Sequence, residues 1–310
     1  MPAEACGRAL RGAAPPRHRR GVTTSATGFP RVFHGSHAVA EGLLTPAALL
    51  GPSFRRQLPG VYAPADVRQD HVLRAEAVGL SLPTTAQLTG ATAATVLGLG
   101  WLRWHDRVEV VVPEAGAKHP TGRAVVARRS RSALGPGRPW RTTALAAPER
   151  VAFDAAARQP LPLAVARLDA LARAGHLDVD RLGAWLVGRR DHGVVRVREA
   201  LPLVDPRAES LPESQLRVLL RRGGLEVEVQ HVVRAGGRFV ARVDLAVVAA
   251  RLAVLYDGAW HGLREQLEKD RRQLNELHAA GWAVVHVTAA DLAEPGRALA
   301  LVRAALAARS

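Results

Sequence analysis

RFVARVDLAV, at residues 238–247, is rich in apolar and β-branched residues and predicts a central β-strand around which the other elements are arranged. Gly236-Gly237 precedes this stretch and predicts a tight hairpin to the strand before it. The order of helix, three strands, helix, strand and helix predicts an α/β domain in which helices pack on the faces of a mixed sheet. The remaining elements are predicted at 226–233, 251–257 and 283–288 for strands and at 264–280 for the long helix.

The chain has 310 residues, 48% of them hydrophobic and 23% charged, which suits about two globular domains. We expect residues 1–31 to form a disordered, arginine-rich leader; a transit peptide or coding sequence upstream of the true start would have the same composition. Residues 32–206 are predicted to form a winged-helix-like and helical α+β region, because small helices and a strand pair precede a helical pattern over 148–203. A turn signal near residue 206 places the α/β domain at 207–310.

The net charge is +15 and the isoelectric point is near 11.5, which favours a polyanionic partner, with DNA as the leading candidate. All but two of the basic residues are arginine. A G+C-rich coding sequence produces the same bias, so the charge alone is weak support for DNA binding.

The single cysteine, Cys6, excludes an intramolecular disulfide and a thiolate zinc cluster, so a bound metal would need oxygen or imidazole ligands. Arg, Asp or Gly interrupts every apolar run before it reaches the ~18 residues of a membrane span. We therefore predict a cytoplasmic protein with no membrane partner.

Basic residues are densest over 115–141, a segment without Asp or Glu. We predict that this segment is a basic hairpin or wing built around a β-type run at 123–128. The alternative is a solvated strand edge that charge keeps soluble. The predicted DNA contacts in this segment are Arg123, Arg128, Arg129 and Arg131.

Asp244 places a carboxylate among Val243, Leu245 and Val247, where burial costs several kcal/mol unless the group is paired, hydrated or bound to a metal. If the next strand pairs antiparallel, Asp257 lies near Asp244. Carboxylates that converge at strand ends can hold Mg²⁺ or Mn²⁺, whose bound water can attack phosphorus. The pattern favours metal-dependent phosphodiester hydrolysis.

Glu213 falls on the apolar face of the helix that opens the α/β domain and is a third candidate metal ligand. Residues 210–213 also form a capping box, so Glu213 can instead bond the start of the helix. His261 can act as a general acid or base or contact phosphate; a surface histidine without a role is the alternative. Asp270 is predicted to form a structural ion pair with an arginine of the sheet, either Arg238, Arg242 or Arg251.

Three runs, VDLA at 243–246, AVLYDGAWH at 253–261 and KDRRQLNELHAAGWAVVHV at 269–287, resemble a bacterial domain of unknown function related to very-short-patch mismatch-repair endonucleases. That family belongs to the PD-(D/E)xK restriction-endonuclease-like superfamily, and the resemblance covers 208–310. It implies an endonuclease-like fold, Mg²⁺-dependent cleavage of DNA, and DNA contacts at Arg271 and Arg272. It also assigns Glu213 as the helix glutamate, Asp244 as the first metal-binding aspartate and His261 as the histidine after the Asp-Gly turn.

One position departs from this family. The glutamate expected as the second metal ligand is Leu255, which cannot bind Mg²⁺. Either Asp257, two residues on, supplies that oxygen, or this copy keeps the fold without catalysis. The superfamily's lysine is also absent, and His261 is the residue that can replace it.

The runs RVFHG at 31–35, GLLT at 42–45 and GVY at 60–62 resemble the amino-terminal region often fused to this domain, which is similar to abortive-infection-type antitoxins with a winged helix. This resemblance implies DNA contact through the helices near 43–58 and through the basic segment at 115–141. Because such antitoxins regulate their own operons, it also implies a function without catalysis.

Two hypotheses follow. In the first, the protein is a Mg²⁺-dependent DNA endonuclease in which Glu213, Asp244 and Asp257 hold the metal and His261 assists. In the second, it is a non-catalytic DNA-binding or antitoxin-like regulatory protein on a nuclease fold, and Leu255 favours this reading. A purely structural or protein-interaction role is the remaining alternative.

Overall fold

The computed structural model describes residues 28–114, 122–258 and 264–309, which belong to two compact units divided between Arg68 and Gln69. Residues 1–27, most of the predicted leader, lie outside the described residues. Within the described part of the chain, no helix is long and apolar enough to cross a membrane.

The first unit is a small α/β element built around an antiparallel sheet of order β1-β3-β2. Phe29, Phe33 and Phe54 stack edge-on or tilted with centroids 5.2–5.5 Å apart and form its centre. Gly35 is required here, since a Cβ atom would lie 2.6 Å from Leu49. The elements are β1 (Phe33–His34), α1 (Gly35–Ala40), α2 (Pro46–Leu49), β2 (Phe54–Leu58) and β3 (Val61–Pro64).

The second unit begins with a five-stranded sheet of order β6-β5-β4-β8-β7. Its elements are α3 (His71–Gly79), β4 (Gln87–Leu88), α4 (Gly90–Ala94) followed by a π-helical turn (Thr95–Leu99), β5 (Val108–Pro113), β6 (Val125–Ser130), β7 (Arg138–Trp140) and β8 (Thr143–Leu145).

The basic strand at 125–130 is not part of a hairpin, contrary to the sequence prediction. β6 pairs parallel with β5, whereas the strands of a hairpin are antiparallel. The hairpin in this region is formed by β7 and β8, at the opposite edge of the sheet. The segment at 115–141 therefore divides between two sheet edges, and its residues 115–121 lie outside the described residues.

A helical layer follows, as the pattern over 148–203 predicts. The four apolar residues at helical spacing, from Leu161 to Leu171, are at most 4% exposed. The helices are α5 (Pro148–Ala156), α6 (Leu161–Arg173), α7 (Val179–Leu186) and α8 (Val194–Ala200), and a 3₁₀ turn (Leu201–Leu203) ends the layer.

The carboxy-terminal part is a four-stranded mixed sheet of order β12-β11-β10-β9 with helices on both faces, which confirms the predicted α/β class. Gly236 and Gly237 have φ of 55° and 80° and form the expected hairpin turn. The elements are α9 (Leu211–Arg222), β9 (Glu228–Ala235), β10 (Arg238–Val247), β11 (Leu252–Asp257), α10 (Arg264–Ala279), β12 (Ala283–Thr288), α11 (Ala289–Ala293) and α12 (Pro295–Ala307).

A buried ion pair joins the helical layer to α9. Arg217 of α9 is fully buried and donates to Asp169 of α6 at 2.7 Å and to the Leu203 carbonyl at 2.8 Å. Asp169 also accepts the backbone N–H of Asp205 at 2.7 Å. The segments on both sides of the predicted boundary near residue 207 thus pack together within the second unit.

We expect Arg217→Met to lower the free energy of unfolding by about 3–5 kcal/mol, because it leaves the Asp169 carboxylate buried without its charge partner. Urea denaturation measures this change. Arg222→Met, at an exposed position of the same helix, is the control and should shift stability by no more than about 0.5 kcal/mol. Equal effects of the two substitutions would contradict a structural role for the pair.

Candidate functional site

Asp244 lies in the middle of β10, at a point where the strand stops pairing regularly. Leu245 pairs with Val254 of β11, and the regular pairing of the two strands ends there. There the Asp244 carboxylate accepts the backbone N–H of Tyr256 at 3.0 Å. The Asp244 side chain thereby takes the place of a β10 backbone carbonyl as the acceptor for Tyr256. Among the described residues, the register of β10 with β11 has no further pairs beyond Leu245 and Val254.

The apolar residues of β10 change face at Asp244. Val243 packs in the cluster that contains Leu277 of α10, whereas Leu245 packs in the cluster of α9 and α12. In a regular strand Val243 and Leu245 would share one face, so the strand is irregular between residues 243 and 245. The residue facing Asp244 on β9 is Gln230, because Val229 and His231 pair with Leu245 and Val243. Gln230 has a φ of 53°, a left-handed conformation that costs a non-glycine residue about 1–2 kcal/mol.

Negative charge surrounds Asp244. Burial raises the pKa of the Asp244 carboxyl, and the nearby carboxylates of Glu213 and Glu209 contribute to the rise, which brings the pKa to about 6. The Tyr256 N–H and the charge of Arg242 act in the opposite direction. Asp244 thus changes its protonation state near neutral pH, which is a property of many functional carboxylates.

Glu213 caps its helix and also faces the site. Ser210 Oγ accepts the backbone N–H of Glu213 at 3.3 Å, which is one half of the predicted capping box. The Glu213 carboxylate accepts the N–H of Glu209 at 2.9 Å and Nε2–H of Gln230 at 3.2 Å. The strained Gln230 is therefore held by the same carboxylate that influences Asp244.

Asp257 lies at the exposed end of β11 and pairs with His286 of β12. His286 Nδ1 lies 3.0 Å from each oxygen of the Asp257 carboxylate, which accepts a hydrogen bond from the Nδ1–H. β11 and β12 are parallel, with Leu255 beside His286 and Asp257 beside Thr288. The sequence analysis missed His286, although a histidine within the apolar run of β12 was a signal for it.

The three predicted carboxylates do not assemble into a metal centre. Among the described residues, no group of three or more His, Cys, Asp or Glu side chains is placed to hold a metal ion. Glu213, Asp244 and Asp257 are each bonded to different protein donors. The donor set therefore does not fit the Mg²⁺ or Mn²⁺ that the resemblance implies.

Leu255 contributes to the apolar core at the position of the expected glutamate. It packs, partly buried, against the cluster that includes Ala253, Leu277 and Trp282. His261 lies outside the described residues, as does the side chain of Asp270. The predicted roles of these two residues stay predictions.

The predicted DNA-contacting arginines divide into two groups. Arg128 has a side chain that is 9% exposed, and it pairs with Glu109 at 3.3 Å and Asp154 at 3.8 Å. It is held inside the protein, where phosphate does not reach it, because alternation along β6 turns it inward. The other five are exposed: Arg123, Arg129, Arg131, Arg271 and Arg272.

Comparisons with known proteins give sequence relatives of unassigned activity. No protein-family model matches the chain. The uncharacterized proteins MT2308 and Rv2248 of Mycobacterium tuberculosis, from strains CDC 1551 / Oshkosh and ATCC 25618 / H37Rv, are each 34% identical to it over 162 residues. The match covers 50% of this chain, and the chain spans 59% of the length of these curated relatives.

A solved structure, the crystal structure of the RV2827C protein from Mycobacterium tuberculosis, is similar at a TM-score of 0.40 and 20% identity. The superposition covers 56% of this chain and 72% of that chain.

Asp244→Asn is expected to stabilise the protein above about pH 6. A folded-state pKa of about 6 lies above the usual value of ~3.9, so the folded state holds the proton more tightly than the unfolded state does. The stability of the wild-type protein therefore falls as the pH rises from about 4 to about 6. The variant does not lose this stability, because its amide carries no charge and still accepts the Tyr256 N–H. Because solvent screens a half-buried group, we expect a gain of about 1–2 kcal/mol.

Urea denaturation of both proteins between about pH 5 and 8 measures this difference. It should grow with pH and level off near neutrality. A difference that does not change with pH would contradict the raised pKa of Asp244.

Proposed function

We propose that this protein is a cytoplasmic DNA-binding protein of regulatory, antitoxin-like type, whose nuclease-like domain binds without cleaving. The observation that carries this proposal is the placement of Glu213, Asp244 and Asp257, each bonded to a different donor, together with leucine where the resemblance expects a glutamate. Among the described residues these carboxylates do not form a group that could hold a metal ion, whereas a divalent cation needs converging oxygens.

Exposed arginines supply the affinity for DNA. Arginine contacts to phosphate release counterions and account for most non-specific binding. Five of the six predicted arginine contacts are exposed, in the sheet of β6 and on α10. The resemblance of residues 31–62 to antitoxin-type winged helices supports the same partner, and the order of two short helices followed by the β2–β3 hairpin is compatible with it.

A Mg²⁺-dependent DNA endonuclease is the second candidate, and one observation favours it. Asp244 is a half-buried carboxylate within the influence of Glu213 and Glu209, and its pKa is raised to about 6. An arrangement of this kind is typical of functional sites. The two candidates differ in a single measurable property, cleavage of the DNA that both bind.

Purified full-length protein should retard supercoiled plasmid in a gel equally well with Mg²⁺, Mn²⁺ or EDTA, and should leave the plasmid uncut. Its affinity should fall steeply with salt, since phosphate contacts dominate. Asp244→Ala, assayed in parallel, should bind and should also leave the plasmid intact. Metal-dependent nicking that is lost in Asp244→Ala would establish the endonuclease instead, and absence of retardation would reject DNA binding.

Leu255→Glu should create an affinity for Mn²⁺ that the natural chain lacks, because it restores the glutamate that the resemblance expects as the second metal ligand. Isothermal calorimetry measures the binding. Leu255→Gln, which has nearly the same shape without the charge, is the control and should not gain affinity. Adding Asp244→Ala to Leu255→Glu should remove the gain. Equal Mn²⁺ binding by the natural chain and by Leu255→Glu would contradict the hypothesis that Leu255 prevents metal binding.

A further inference from the structure

A basic surface forms where the end of β6 meets the loop between α7 and α8. We propose that this surface, which we call the β6–loop surface, binds the phosphate backbone of duplex DNA. It consists of Arg129 and Arg131 from the strand end and Arg190 and His192 from the loop at 187–193, all of them exposed. The inference rests on the proposed function and states where the DNA binds.

Alternation along β6 separates the internal from the external arginines. Arg128 and Ser130 share one face of the strand and contact the interior, where Ser130 is 3% exposed. Arg129 faces the other way. Arg131 directly follows β6, and the side chains of both arginines are exposed, so two positive charges lie close together at the strand end.

The α7–α8 loop is fixed against the end of β6 by three contacts. Arg189 Nη1 donates to Ser132 Oγ at 2.9 Å. Nη1 of Arg150, on α5, donates to Ser130 Oγ at 3.1 Å and lies 3.5 Å from Asp191 Oδ1. Because Arg189 and Asp191 are both held in this way, the residues beside them, Arg190 and His192, are placed next to the strand end.

Trp185 of α7 and Arg198 of α8 also hold the loop in place. The Arg189 guanidinium lies 3.4 Å from the ring centre of Trp185, and its Nε donates to the Trp185 carbonyl at 2.9 Å. Arg198 Nη2 donates to the carbonyls of Leu186 and Arg189 at 2.8 and 2.9 Å. A surface held in place before binding loses less entropy when it meets a ligand.

Asp191 and Glu114 lie near this surface and leave it positive. Asp191 is 12% exposed and its carboxylate lies between Arg150 and Arg189, so its charge is neutralised internally. Glu114 lies 3.5 Å from Arg131, but both side chains are exposed, and pairs of this kind contribute little. Arg131 can replace its ion pair with Glu114 by an ion pair with a phosphate. Within the described residues Arg190 forms no ion pair with an acidic side chain, so it has none to break. The partner that fits is a chain of regularly spaced anions, which is the backbone of DNA.

The experiment measures binding of the full-length chain to a fluorescent DNA duplex of about 20 base pairs over a range of salt concentrations. The test variant is the double substitution Arg131→Gln and Arg190→Gln. Each lost phosphate contact lowers the slope of log K against log salt by about 0.9, so the double variant should lose nearly two units of slope and at least about tenfold in affinity. The control, Arg222→Gln, removes an exposed arginine from α9 and should leave the slope unchanged.

The outcomes separate the two proposals. Failure of the natural chain to bind the duplex would overturn DNA binding and this surface together. Binding with an unchanged slope in the double variant, or an equal loss in Arg222→Gln, would overturn the β6–loop surface and leave DNA binding standing. Thermal unfolding measures whether each variant is folded. If the double variant unfolds at a lower temperature than the natural chain, the single substitution Arg190→Gln is tested instead. It should lower the slope of log K against log salt by about 0.9.

Discussion

The buried pair of Arg217 and Asp169 is the constraint on which the rest of the second unit depends. A fully buried guanidinium is tolerated only with a charge partner and hydrogen bonds, and here α6 and the Leu203 carbonyl supply them. The pair fixes α9 against the helical layer, and the start of α9 carries Glu213. The position of Glu213 beside Gln230 and near Asp244 therefore follows from an ion pair that lies elsewhere on the same helix.

The four-stranded sheet carries its polar residues at the place where its regularity ends. β9 and β10 pair on either side of Asp244, yet Gln230 takes a left-handed conformation, and the apolar residues of β10 change face at this point. Such local strain is held by surrounding contacts, in this case the bond from Gln230 to Glu213. The polar interruption is part of the sheet's construction, whether or not a cation binds there.

Local signals in the sequence predicted the elements well, and the contacts between distant residues much less. The Gly236-Gly237 turn and the apolar runs placed the four carboxy-terminal strands within two residues of their observed bounds, because turn chemistry and periodicity act over a few residues. The parallel pairing of β6 with β5 leaves no mark in the sequence of either strand. The internal position of Arg128 likewise depends on Glu109 and Asp154, which are 19 and 26 positions away along the chain.

The candidate site shows the same division. Asp244 was visible in the sequence because a carboxylate breaks an apolar strand, and the structure gives it the raised pKa that burial causes. The bond from His286 to Asp257 spans 29 positions and was not visible in the sequence. A list of acidic residues at plausible spacing therefore leaves out the donors that bind them in the folded chain.

Electrostatics then explains why the proposed DNA surface lies apart from the carboxylates. Asp244, Glu213 and Glu209 lie close together, and Arg242 is the cation among them that affects Asp244. Without a divalent cation this region repels a phosphate backbone, whereas in a working metal nuclease the cation reverses the sign. In the proposed function no cation is bound in this region, so the proposed affinity for DNA comes from another surface. The end of β6 and the α7–α8 loop, whose acidic residue is neutralised from within, provide the positive charge that the carboxylate region lacks.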